Sequence, residues 1–358
     1  MASNSIHFIF IYLVIENIFK METSTINVKI EKSPIPIVWI DTSIIVKMAQ
    51  WKFKICKLDK TNEYRISTLY ELIYKFTRMG KLLCPQAEQD YEIWINRKKF
   101  LDIVNILSLG LQTKHAHAIH TNQFYKFLTA FINNELEITL SYLDLFDSDP
   151  IKEIGLILQR PIYIGLSMPL FMGHEYHKKK NEILLKGQNI QREKNVKLKI
   201  SFKKQLELEF MSELNVLLEF SNKFFSNNYS NDIEGLNVVF GTRLLYEQLK
   251  FLERLTKKSY DFDSLIKFYK SSYYRSMPYM NILCNLTAKN MIDKQPIKSG
   301  DLMDNEHIAS IMPYSNLFIT DKAKSALIKT NKLNKNYNTE VCYIGNSEVI
   351  NNFFKKLE

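Results

Sequence analysis

Four aspartates and a glutamate stand where carboxylates could work together. Asp41 closes the apolar run at 35–40 (IPIVWI), and Asp321 closes the run at 316–320 (NLFIT). Asp301 and Asp304 share the segment 299–304 (SGDLMD), read as a loop entering a helix. Glu92 falls on a predicted helix, 87–94, after a short strand at 81–85 (KLLCP). Crowded carboxylates repel and raise one another's pKa, so such a set is tolerable mainly around a divalent cation. Hard oxygen donors without Cys or His suit Mg²⁺ or Mn²⁺. That metal activates water and stabilises charge on a phosphoryl group during in-line attack. The competing reading stays open, because acids at strand ends also serve as helix N-caps and surface charges.

The elements around these residues fit a parallel α/β sheet. Residues 35–40 read as a buried strand, followed by a helix from about Ile44. An amphipathic helix at 67–78 carries Leu69, Ile73 and Phe76 on one face, with Gly80 as its C′ residue. Strand, helix, strand, helix is the order of a parallel sheet. Open sheets of that kind hold their chemistry at the carboxyl ends of the strands. After Pro296 the same logic returns: a loop at 299–304, a helix at 305–312 stopped by Pro313, a strand at 316–320, a helix at 322–329 and a strand at 340–344.

The middle differs. Phe202, Leu206, Phe210, Leu214 and Leu217 form one helical stripe, and Leu245, Leu249, Leu252 and Leu255 another. Residues 196–202 alternate apolar and polar, so they suit either a basic strand or the start of a helix. The expected organisation is an N-terminal extension at 1–30, a first core part at 31–111, a helical insertion or cap at 112–290 and a second core part at 291–358.

Charge is concentrated in that middle region. The chain carries +10. The stretch 177–204 holds ten basic and two acidic side chains, a net +8. A localised basic excess points to a polyanion. Lys197, Lys199, Lys203 and Lys204 are the candidate phosphate contacts; a solvated helix face is the plain alternative. Four Cys without a CxxC spacing suit a reducing cytoplasm. The apolar run 7–15 meets Glu16 before a membrane-spanning length and lacks a basic leader, so no membrane segment is expected there. Met21 is an alternative start, with 1–20 either upstream of it or weakly ordered.

Other signals carry less. His115, His117 and His120 lack a fixed third ligand on one face, and His174 and His177 lack the HExxH spacing. His307 beside the acids reads as a packed or surface residue more readily than as a phosphate contact. The segment 267–275 interleaves aromatics with bases, which could stack single-stranded nucleic acid if exposed but reads better as a packed face. No Walker, dinucleotide-binding or nucleophile-elbow motif is present.

Three segments share a further likeness. IPIVWIDTSIIVKMA resembles the first strand and helix of the PIN-like nuclease superfamily. GKLLCPQAEQDYE is similar to the second strand of its larger bacterial members, and SGDLMDNEHIASIMPYSNLFITDK to their C-terminal signature. The resemblance covers 35–110 and 276–350. It implies a Rossmann-like sheet with helices on both faces, and a metal-dependent endoribonuclease in which metal-activated water attacks the phosphodiester. Asp41, Glu92, Asp304 and Asp321 would hold Mg²⁺ or Mn²⁺, with Asp301 as a further ligand or a loop cap. Thr42, Ser43 and Thr320 would orient water or phosphate. Glu71 and Glu88 are alternatives to Glu92 as the second acid. The substrate would be RNA or single-stranded DNA, and a protein regulator is an open partner. The rival reading is a catalytically silent PIN-like module that binds RNA or protein.

Overall fold

The structure is a computed structural model that describes residues 25–87, 89, 100–159, 174–230 and 233–358. Its first elements are strands β1 (Asn27–Glu31) and β2 (Val38–Ile40), then helices α1 (Thr42–Lys52), α2 (Lys60–Arg78), α3 (Leu101–Ser108) and α4 (Ala116–Asn133). Strand β3 (Glu137–Ser141) precedes helices α5 (Pro150–Gln159), α6 (His174–Lys197), α7 (Phe202–Phe225), α8 (Ile233–Thr256), α9 (Phe262–Lys270), α10 (Ser272–Ser276), α11 (Pro278–Ile292) and α12 (Ser299–Ile311). The last elements are β4 (Leu317–Thr320), α13 (Lys322–Thr330), α14 (Leu333–Asn336), β5 (Glu340–Tyr343) and α15 (Ser347–Lys355). The fold is mixed α/β, with small sheets and many helices.

Val38, Trp39 and Ile40 are all buried, as a strand covered on both faces must be. Three strands pair in parallel in the order β2, β4, β5, with Ile40 opposite Ile319 and Ile319 opposite Cys342. Two parallel bridges extend this order on the far side of β2: Leu83 lies beside Ile37, and Gln112 beside Gln86. The Val38 N–H donates to the Leu83 carbonyl at 2.9 Å. Chain order therefore reverses beside β2, where earlier segments lie to one side and later ones to the other.

Alternation along the strands builds two packed faces. Val38, Ile40, Leu317, Ile319 and Cys342 join Ile44 and Met48 of α1, Leu69, Ile73 and Phe76 of α2, Ile103 of α3 and Phe354 of α15 in one cluster. On the opposite face Trp39 stacks on Phe318 at 4.5 Å and meets His307 of α12 at 6.0 Å. Each large apolar side chain buried this way contributes about 1.5–3 kcal/mol. Gly80, at φ +66°, closes α2, where a side chain would also crowd Leu158.

Lys32 secures the amino-end side of the same sheet. Its Nζ donates to the Pro313 and Ser315 carbonyls at 2.7 and 2.6 Å and to Thr339 Oγ1 at 3.1 Å. Burial pushes this ammonium down from 10.5 to about 7. Between those values the unfolded chain holds a proton that the folded chain lacks, so stability gains as pH rises. Denaturant titrations between pH 7 and 10 should show this rise in wild type, and Lys32→Met should remove that component.

The chain forms two compact units. Among the described residues, one comprises those within Lys29–Gln123, Thr139–Glu209 and Pro278–Glu358, and the other those within 25–28, Phe124–Ile138 and Phe210–Met277. The second unit is built on aromatic packing. Phe124, Phe268, Tyr269 and Tyr274 are buried together, and the Tyr269 and Tyr274 hydroxyls meet the Glu213 carboxylate at 3.2 and 2.7 Å. The segment 267–275 is thus a packed face, and its rings are not a stacking platform.

Several boundaries differ from those read in the sequence. Residues 112–123, 139–209 and 278–290 belong with the α/β unit, where α6 and α11 pack against α12. Residues 299–304, expected as a loop, form the first turns of α12. Residues 198–201 are a turn between α6 and α7, with Lys199 in the left-handed region at φ 52°. Glu137–Ser141 is a strand whose exposed–buried alternation is short enough to be overlooked between helices. Residues 27–30, placed in the extension, belong to β1, which pairs with β3. The run 7–15 and the 1–20 segment lie outside the described residues. Among the described residues no helix is long and apolar enough to cross a membrane.

Candidate active site

Asp41 and Asp321 leave the sheet at the same edge. Ile40 and Ile319 are register partners, so the next positions are Asp41 and Thr320, followed by Asp321. The Asp41 N–H continues the ladder, donating to the Ile319 carbonyl at 2.8 Å. Each aspartate then caps a helix. Asp41 Oδ1 accepts from the Ser43 N–H at 2.8 Å, and Asp321 Oδ1 from the Ala323 and Lys324 N–H groups at 2.6 and 2.9 Å. The cap holds each carboxylate at the N-terminal end of a helix.

Thr320 ties the two strands' ends together. Its hydroxyl donates to Asp41 Oδ2 at 2.9 Å, and both residues are buried. Asp41 therefore has both oxygens fixed and is only 7 % exposed. Thr42 is half-buried and Ser43 exposed. Thr42, Ser43 and Thr320 were read as orienting water or phosphate; that the Thr320 hydroxyl would reach Asp41 was not legible.

Asp301 and Asp304 come to this edge from α12. Asp301 Oδ2 accepts from the Lys298 N–H at 2.8 Å, which fixes the helix start. Its Oδ1 lies 3.1 Å from Lys324 Nζ, and Asp304 Oδ2 lies 3.7 Å from the same nitrogen. Asn305 Oδ1 is 3.2 Å from it. A continuous chain of contacts thus runs from Asp41 through Thr320, Asp321 and Lys324 to Asp301 and Asp304. Neither Lys324 nor Asn305 stood out in the sequence. Lys324 follows Asp321 by one helical turn, the only hint that it stays near that edge.

Glu92 and Glu88 lie outside the described residues. Gln89, between them in sequence, is buried and donates from Nε2 to the Ile40 carbonyl at 2.8 Å, next to Asp41. Glu71 is exposed, off the stripe of Leu69, Tyr70 and Ile73 by which α2 packs. Among the described residues no three His, Cys, Asp or Glu side chains are gathered as a metal ion would need. The donor set itself suits a hard cation, since carboxylates and an amide oxygen already surround an ammonium.

The basic segment divides in two. Arg192 is buried and donates from Nη1 to the Asp293 and Lys294 carbonyls at 3.1 and 2.8 Å, so it caps the end of α11. Lys197, Lys199, Lys203 and Lys204 are exposed around the turn between α6 and α7. Asn189 of α6 clamps Ile297 just before α12, accepting its N–H at 2.9 Å and donating to its carbonyl at 3.0 Å. Eight residues of helix, about 12 Å, separate Asn189 from Lys197. Of the histidines, His307 is packed beside Trp39, His120 stacks on Tyr279 at 4.9 Å, and His117 is exposed. Burial pushes the Cys84 and Cys342 thiols up to about 12, so neither is a nucleophile at neutral pH.

No family model, curated protein or solved structure matches the chain.

Proposed function

We propose that this protein is a PIN-like, metal-dependent endonuclease acting on RNA. The observation that carries the reading is the linked acid group at one edge of a parallel sheet, beside the strand where chain order reverses. Crevices at such positions are where open α/β sheets hold their ligands. Asp41, Asp321, Asp304 and Asp301 would hold Mg²⁺ or Mn²⁺, with Glu92 as the remaining acid. Bound there, the ion would activate water and offset charge on the phosphoryl oxygens.

The chain's own residues have separable tasks. The Thr320 hydroxyl and the Ser43 N–H orient the Asp41 carboxylate. The cap on α13 orients Asp321. Lys197, Lys199, Lys203 and Lys204 grip the phosphate backbone, offsetting the repulsion of an acidic site for a polyanion. Two of them, Lys203 and Lys204, sit in the first turn of α7, where the helix dipole disfavours cations.

The test is cleavage of labelled single-stranded RNA in Mn²⁺ and in EDTA, with binding measured across a salt series. Cleavage should require the metal. Neutralising the four lysines should weaken binding and lower the log–log salt slope by up to about 3, at ~0.7 per phosphate contact. An unchanged slope would move the groove elsewhere. The silent, RNA- or protein-binding module is favoured by one observation: Lys324 already offsets the charge of Asp301 and Asp304.

A further inference from the structure

Lys324 is a buried lysine, its side chain 7 % exposed, and it is held by one stretch of α12. Asp301 Oδ1, Asn305 Oδ1 and Asp304 Oδ2 approach its Nζ at 3.1, 3.2 and 3.7 Å. Two anionic oxygens and one neutral oxygen are the donors that a hard divalent cation takes. A cation removed from water needs such partners, so these three oxygens form a cation seat whatever fills it.

A second observation falls on the same residue. Asn305 is 1 % exposed, its Oδ1 is turned to the ammonium, and its Nδ2 has no hydrogen-bond partner. A buried amide donor is costly to leave unmade. Here it stands in the same carboxamide that receives Lys324.

We propose that Lys324 is the resident cation of this seat and competes with the divalent metal for it. Mg²⁺ or Mn²⁺ on the same oxygens would face a like charge within about 4 Å, a strong repulsion away from bulk water. The metal therefore enters only as the lysine withdraws on its flexible stem. Lys324 thereby sets the metal concentration at which the site fills. This inference rests on the metal-dependent reading of the acids, and it adds what holds the site when no metal is there.

Mn²⁺ binding, followed by the electron paramagnetic resonance of the free ion, tests it without any cleavage assay. Lys324→Gln should bind Mn²⁺ at least about tenfold more tightly than wild type. Lys329→Gln, which removes the same charge from an exposed position of α13, should leave the affinity unchanged. Equal or weaker binding by Lys324→Gln overturns the proposal, as does an equal gain in Lys329→Gln. If Lys324→Gln is unfolded in buffer, recovery of its circular dichroism on adding Mn²⁺ supports the proposal, and no recovery overturns it. A non-cleaving wild type whose Lys324→Gln variant gains affinity would retire the nuclease reading alone. A cleaving wild type without that gain would retire the lysine alone.

Discussion

Asp41→Asn should fold normally and lose cleavage by more than about a hundredfold, beyond the 10–100-fold typical of residues that only support metal ligands. The fold should survive because asparagine is as good an N-cap as aspartate, so the bond from the Ser43 N–H persists. A carboxamide has one acceptor oxygen, so the contacts now made by Oδ1 and Oδ2 cannot both be kept in their present form. The unfolding free energy should fall by no more than about 0.5–1.5 kcal/mol, the net worth of one hydrogen bond. Multiple-turnover RNA cleavage in Mn²⁺, with thermal unfolding on the same samples, checks both halves. Full activity in Asp41→Asn would remove Asp41 from the reacting centre.

The largest stability effect should come from Phe318→Ala, at about 3–5 kcal/mol in denaturant titration. Phe318 is fully buried in β4, between the two other strands of the sheet, and stacks on Trp39 at 4.5 Å. Truncation would open a cavity between the sheet and the face covered by α12, where side chains from strands and helix are already interlocked. Phe318→Leu should recover most of the loss, because it keeps much of the volume. A loss below about 1 kcal/mol in the alanine variant would mean that this face collapses around the gap.

The strands were legible where apolar runs end in a polar residue. Residues 35–40 and 316–320 declared both their burial and the acids that close them. Their parallel pairing followed from the helices between. The segment 81–85 was legible as a short strand, yet it forms only a single bridge at Leu83, because Pro85 cuts the ladder. The start of α12 was misread because Ser-Gly-Asp suits a loop; Asp301 instead caps the helix from within it. Lys324 was illegible for a different reason. A lysine on a short amphipathic helix is ordinarily solvated, and only the approach of α12 turns it into a buried counter-ion. Arg192 is the same lesson in reverse, a charge counted toward the basic stretch that closes a helix end.

The order of the sheet has a consequence for the nascent chain. β2 is flanked by Leu83 on one side, available soon after synthesis, and by β4 on the other. The contact between Asp41 and Thr320 spans 279 residues. At ribosomal rates of 5–20 residues per second that interval lasts roughly 15–60 s. Throughout it β2 presents a bare edge on its β4 side, with its acid already made and its partner strand still to come. The helices between these strands are translated in that window.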